Sequence, residues 1–358
     1  MRPLRISHFT FCSGMGRGVE AHRAGLLAEQ SGLRPVDFPD VNFPTWIGRV
    51  DGVEQVRLAD KLARYDCRNN RLAQLALETD GFSAAIRTAV SRYGATRIGL
   101  FLGTSTSGVQ QAELAYLRRD RATETLPAEF HYNTTQSIYS LGDFVRQYLD
   151  LQGPSEVIST ACSSSAKAFA VAQRFIDAGF CDAAVVGGID SLCLMTLYGF
   201  NSLQLVSSAP CRPADESRKG LNIGEAAGFA LLEPLSSADG EAVCLLGHGE
   251  SSDAYHMSTP CPDGAGAALA MRTALRRAAL SVMDIDYINL HGTATPANDL
   301  AEDAAVYSVF SGRVPCSSTK GFTGHTLGAA GGIRILSAIV QTISRALDQG
   351  HDAVTAVA

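Results

Sequence analysis

Apolar positions along this chain follow two rhythms. Short apolar or β-branched runs bounded by Gly and polar turns predict strands at residues 97–102 (RIGLFL), 156–159 (EVIS), 183–186 (AAVV), 242–247 (AVCLLG) and 286–290 (DYINL). Between them, apolar residues three and four apart predict helices over 167–178, 267–279 and 335–347, each with one buried face. Strands alternating with amphipathic helices are the sequence form of an α/β protein. Two segment pairs also echo each other. RIGLFLGTSTSG and DYINLHGTATP both run from a strand into Gly-Thr-x-Thr, and VISTACSSSAKAF and VPCSSTKGFTGHTLGAAGG both pass through a small-residue turn into a helix. The expectation is two related halves, residues 1–235 and 236–358, dividing at the polar loop PLSSADGE.

Composition narrows the function classes. In 358 residues, 46% are hydrophobic and only 18% charged, which supplies a large core and excludes a mainly disordered chain. Thirty Lys and Arg against 36 Asp and Glu give a net charge of -6 with no basic run, so no sequence-independent grip on nucleic acid is expected. The first 16 residues lack the apolar core of a signal peptide, and no 18 consecutive apolar residues occur, so a cytoplasmic location without membrane attachment is expected. Nine scattered cysteines without a CxxC pair point to reduced thiols, with neither a disulfide framework nor a zinc site.

Chemistry concentrates at strand ends. In TACSSSAK, a strand runs into small residues and then a helix, placing Cys162 at or just before a helix N-terminus. There the free N–H groups and the positive dipole end favour a thiolate, which makes Cys162 a candidate nucleophile rather than a buried structural thiol. Of eight histidines, His291 ends the strand DYINL, and His325 sits in the Gly-flanked loop TKGFTGHT beside Lys320. Strand-to-loop ends are where α/β sheets build sites, so Cys162, His291, His325 and Lys320 form one candidate constellation.

The blocks STACSSSAKAFA, INLHGTATPANDLAE and SSTKGFTGHTLGAAGG, with DAYHM, CRPADESRKG and GEAAGFALLE in support, resemble the signature segments of elongating β-ketoacyl-[acyl-carrier-protein] synthases from about residue 97 to 332. The resemblance implies the thiolase fold, two like halves in five αβαβα layers, as a homodimer or as a heterodimer with a chain-length-factor-like subunit. It implies Cys162 as the acyl-accepting nucleophile, His291 and His325 at the decarboxylation and condensation centre, Lys320 as the lysine of the third motif, and Thr293 and Thr295 along the phosphopantetheine arm. No metal or redox cofactor is implied, because the substrate arrives on the phosphopantetheine of acyl carrier protein. The implied reaction is decarboxylative Claisen condensation with malonyl-carrier-protein in fatty-acid or polyene-type polyketide elongation. The alternative is a non-catalytic chain-length-factor-like partner or an inactive shortened synthase, and the intact Cys and His set favours the enzyme.

The sequence departs from the family pattern at two places. Nine residues after His325, where the family carries Glu, stands Arg334. Two cations in a poorly solvated site are expected to lower the Lys320 pKa or force rearrangement. The family also continues past this helix into further strands and a Gly-rich Phe loop, so the C-terminal half is expected to be incomplete, without its sheet-edge strands and one wall of the site.

Overall fold

The computed structural model describes residues 1–236, 240, 242–256 and 258–349. Its larger sheet is built from β1 (Leu4–Ser13), β2 (Ile98–Gly103), β3 (Ser155–Ile158), β4 (Ala183–Asp190), β6 (Ala226–Pro234) and β7 (Cys244–Leu245), with Gly16–Arg17 paired to the end of β1; the two-residue β5 (Ile223–Gly224) lies apart, parallel to Trp46–Gly48. The strand order is β7-β1-β6-β4-β2-β3, with β2, β3 and β4 parallel, and β1 and β6 antiparallel to their neighbours. All eight residues of β4 are buried, as expected for a strand covered on both faces.

One face is covered by α1 (Arg68–Leu77), α2 (Phe82–Tyr93) and α3 (Tyr139–Tyr148), whose Leu72, Phe82 and Phe144 share a core with Leu100, Val185 and Phe229. The other face carries α4 (Ser164–Asp177), while α5 (Ala265–Ala278), α6 (Pro296–Phe310), β8 (Ile288–Asn289) and β9 (Cys316–Ser317) make up the second half, completed by α7 (Ala330–Gln349). Side chains of α4 and α7 (Phe169, Ile333, Leu336, Ile339) fill a second core with Phe101 and Val186. A third core joins Ala268 and Leu275 of α5 to Ile288 of β8 and to Val306 and Phe310 of α6. Helices, sheet, the α4–α7 pair, the β8–β9 ribbon and the α5–α6 pair thus stack as α, β, α, β, α, which is the thiolase fold. The span Leu327–Ser344 is long and apolar enough to cross a membrane by composition, but 72% of it is buried, which makes it the central core helix between two layers.

In each half, the two echoing segments contain a parallel strand pair. β2 pairs in parallel with β3, which leads into α4; β8 pairs in parallel with β9, which leads through the His325 loop into α7. Two differences from the sequence reading stand out. The run 242–247 shortens to Cys244–Leu245 and pairs with β1 of the first sheet rather than with the second half, since Arg5 lies opposite Cys244. The run 286–290 shortens to Ile288–Asn289, so the second sheet has two strands of two residues each among the described residues.

Candidate active site

β3 ends at Ile158, and the chain turns through Ala161 at φ 52, a left-handed conformation that costs a non-glycine residue about 1–2 kcal/mol. The Ser164 hydroxyl, donating to Ala161 O at 2.6 Å and accepting from Thr160 N at 2.9 Å, holds this turn. Ser163 is the N-cap of α4, so Cys162 stands one residue outside the helix.

His325 reaches the same point from the other half. Its backbone N donates to Asn222 O (2.7 Å), and its carbonyl accepts from Gly224 N (3.0 Å). The contact is made backbone against backbone: a Cβ at Gly224 would stand 2.1 Å from Thr323 O, and Gly324 itself sits at φ 73. The ring is then fixed at both nitrogens. Nδ1 accepts the Leu327 N–H at 3.0 Å, and Nε2 lies 3.0 Å from Cys162 Sγ. An imidazole that accepts at Nδ1 carries its proton on Nε2, so an N–H faces the sulfur.

His291 is built in the same way. Glu302 of α6 accepts from His291 N (2.6 Å) and Gly292 N (2.7 Å), holding the loop that leaves β8. Lys320 Nζ donates to His291 O and lies 3.3 Å from His291 Nδ1. While Lys320 is charged it has only donors, and His291 then carries its proton on Nε2. The two rings are perpendicular with centroids 5.4 Å apart, and their ligand-type atoms and Cys162 Sγ all lie within 4.8 Å of one another. Such a trio has the spacing of a metal site. The His325 lone pair is spent on the Leu327 N–H, however, which leaves a proton rather than a lone pair toward the sulfur and suits an oxyanion better than a cation.

Burial sets the electrostatics. Both imidazoles are held well below their usual pKa by burial and then by the Lys320 charge, so they are neutral donors near pH 7. Burial, followed by the neighbouring Arg334, pushes Lys320 down to about 7, the direction expected from the Arg334 departure. Arg334 does not point idly at the lysine, because its Nη2 donates to Asn289 O of β8 at 2.7 Å. The expected thiolate is corrected. Burial raises the Cys162 pKa, with Lys320 opposing and Asp190 adding to the rise, so the resting group is a thiol. Outside the helix and in a poorly solvated wall, it gains less from the α4 dipole than it loses in hydration.

Thr293 and Thr295 lie beside His291, buried and paired hydroxyl to hydroxyl at 2.8 Å. A cavity of about 590 Å3 between α4–α7 and α5–α6 is lined by Cys162, His291, Glu302 and Arg334 at one end and by side chains such as Met271 and Leu275 at the other. The structure therefore brings together Cys162, His291, His325 and Lys320. Sequence reading gave no role to Glu302, although it lies within the second motif, or to Asp190.

Two family models cover most of the chain: "Beta-ketoacyl synthase, N-terminal domain" over residues 57–238 and "Beta-ketoacyl synthase, C-terminal domain" over residues 242–348. The chain is 30% identical to 3-oxoacyl-[acyl-carrier-protein] synthase 2 of Vibrio cholerae over 371 aligned positions, spanning 96% of this chain and 87% of that protein. It is 31% identical to the synthase 2 of Staphylococcus aureus over 305 positions, spanning 78% and 75%. Among solved structures, the ketosynthase ApeO in complex with its chain length factor ApeC from Xenorhabdus doucetiae superposes with a TM-score of 0.86 at 35% identity, covering 96% of this chain and 85% of that one. A β-ketoacyl synthase from Burkholderia phymatum gives 0.83 at 27% identity, covering 96% and 87%.

Proposed function

Since this chain belongs to the β-ketoacyl synthase family, we propose that it is the condensing enzyme of a fatty-acid or polyene-type elongation, joining an acyl group on Cys162 to malonyl-carrier-protein. The observation that carries this reading is the His325 imidazole, whose Nδ1 acceptor leaves an Nε2–H facing Cys162, with the His291 ring perpendicular to it at 5.4 Å. In the first step, the sulfur of Cys162 attacks the incoming thioester carbonyl, and the proton of its thiol ends on the departing pantetheine thiolate. The Cys162 backbone N–H, at the mouth of α4, is a donor for the tetrahedral oxyanion. In the second step, the malonyl carboxylate leaves as CO2, and its electron pair becomes the enolate. His291 and His325, neutral and pre-aimed, donate to the enolate oxygen. The enolate carbon attacks the acyl carbonyl, the new C–C bond forms, and Cys162 is released as a thiolate that solvent reprotonates. No metal or redox group is needed at any step of this scheme. A non-catalytic partner subunit would have no use for a thiol 3.0 Å from an oriented imidazole.

Thr293 and Thr295 supply hydroxyls for the pantetheine arm. The reading includes a cytoplasmic location and a dimer, of two such chains or with a chain-length-factor-like partner, and β3 supports the dimer. The outer edge of β3 is unpaired among the described residues, and Tyr116, Leu117 and Tyr139 are large exposed side chains. The test is mass spectrometry after exposure to acyl-carrier-protein, followed by addition of malonyl-carrier-protein. The expected result is an acyl adduct on Cys162 that is discharged as a chain two carbons longer. His291→Ala and His325→Ala should still accept the acyl group but lose condensation about 100- to 1000-fold. Condensation by either variant at the parental rate would refute the two-imidazole mechanism.

A further inference from the structure

Asp190 closes β4 and is completely buried, yet the reaction scheme gives it no task. Its Oδ1 accepts from Thr104 Oγ1 (2.8 Å), Ser105 N (2.8 Å), Thr106 N (2.7 Å) and Thr106 Oγ1 (2.7 Å). Its Oδ2 accepts from Ser105 N at 3.0 Å and from Gly328 N. The first set belongs to the turn after β2 in the first half. Gly328 belongs to the turn after His325 in the second. One carboxylate therefore spans the two halves next to the nucleophile.

The turn that Asp190 grips is strained. Leu327 sits at φ 51, a left-handed conformation rare for a branched, bulky residue. That conformation is what delivers the Leu327 N–H to His325 Nδ1. Gly328 is there because nothing larger fits: a Cβ would stand 2.7 Å from Asp190 Oδ2 and 2.6 Å from Ser105 Oγ. Without the capture of Gly328 N, Leu327 has an open route to the right-handed region, its N–H turns from the ring, and Nδ1 is left to take up a proton.

We propose that Asp190 is a positioning residue for the condensation: by holding Gly328 N it keeps Leu327 left-handed and so fixes His325 with its proton on Nε2, facing Cys162. The inference rests on the condensing reading of this site, but its main readout does not. Asp190→Asn is close to isosteric; the amide oxygen retains the Thr104–Thr106 donors, while its NH2 meets Gly328 N–H donor to donor. In chain carrying 15N-labelled histidine, ring-nitrogen NMR of the native protein should show His325 with Nε2 protonated and Nδ1 bare. Asp190→Asn should give a mixture of tautomers at His325 and leave His291 unchanged, with kcat for condensation down about 100-fold and the KM for malonyl-carrier-protein within about twofold. Adding Leu327→Gly should return His325 toward the native tautomer and recover much of the rate, because glycine sits at positive φ without being held there. A native tautomer in Asp190→Asn overturns the proposal, whatever its rate. Should that variant not fold, the double variant decides: folding with the native tautomer supports the proposal, and any other state of His325 overturns it. An absence of condensation in every protein, with the tautomers behaving as stated, would fault the condensing reading and leave the clamp intact.

Discussion

Arg334 and Lys320 share a buried pocket, and the consequence can be read as a stability difference between two chains. An ordinary lysine titrates at 10.5, and Lys320 is pushed to about 7. At 1.36 kcal/mol per pH unit, the folded chain carries a penalty of about 5 kcal/mol when this lysine is charged. Burial is the larger cause and Arg334 the second, so Arg334→Gln, which keeps an N–H donor near Asn289 O, should raise the lysine pKa and remove part of that penalty. The sign follows from proton counts. Between about 7 and 10.5 the unfolded chain binds a proton that the folded chain does not, so stability rises with pH across this window, and the full penalty applies below it. In the variant the window opens at a higher pH. The variant should therefore be more stable below pH 7 by a fraction of those roughly 5 kcal/mol, and the difference should shrink as pH rises through the window. Urea unfolding of both chains from pH 6 to 9.5 measures this. Thiols held at about 11 to 12, such as Cys12, Cys67 and Cys193, pull stability down at the alkaline end in both chains alike, which is why the difference is the quantity to plot. A difference independent of pH would refute the coupling, and a variant less stable at pH 6.5 would mean that the bond to Asn289 outweighs the charge.

Two further outcomes follow from the site's scaffolding. Glu302→Gln turns one of two oxygens facing His291 N and Gly292 N into a donor, so urea unfolding should show a loss of about 1–3 kcal/mol, and kcat for condensation should fall more than acyl transfer to Cys162. Gly224→Ala puts a methyl group 2.1 Å from Thr323 O and should displace the His325 loop; the checks are a lower Tm and slower condensation, with a native Tm counting against this close approach.

The sequence revealed the reactive groups better than their supports. Cys162, His291, Lys320 and His325 each lie in a short local signal, a strand end followed by small residues, and the fold brings all four together. Asp190 and Glu302 act on backbone N–H groups of loops that are distant in sequence or carry no side-chain code, so no spacing marks them. The acidity of Cys162 was misjudged because a helix N-terminus is visible in a sequence while the depth of a wall is not. Strand β1 was missed for a related reason: its buried Thr10 and Ser13 read as polar until Asp80 and His22 are found opposite them. Strand β6, rich in Ala and Gly, lacks the β-branched residues that announce a strand, and it is buried by its place between β1 and β4.

The position of β1 also bears on how the chain is made. Its neighbours β6 and β7 leave the ribosome roughly 220 residues after it. At about 5–20 residues per second, that is a wait of roughly 10–40 s. For that time Leu4, Ile6 and Phe11 have no strand to lie against, and the sheet behind them cannot close. Nascent chains of this protein should therefore depend on a holding chaperone until residue 234 has emerged, and protease protection of β1 should arrive late and together with that of β6.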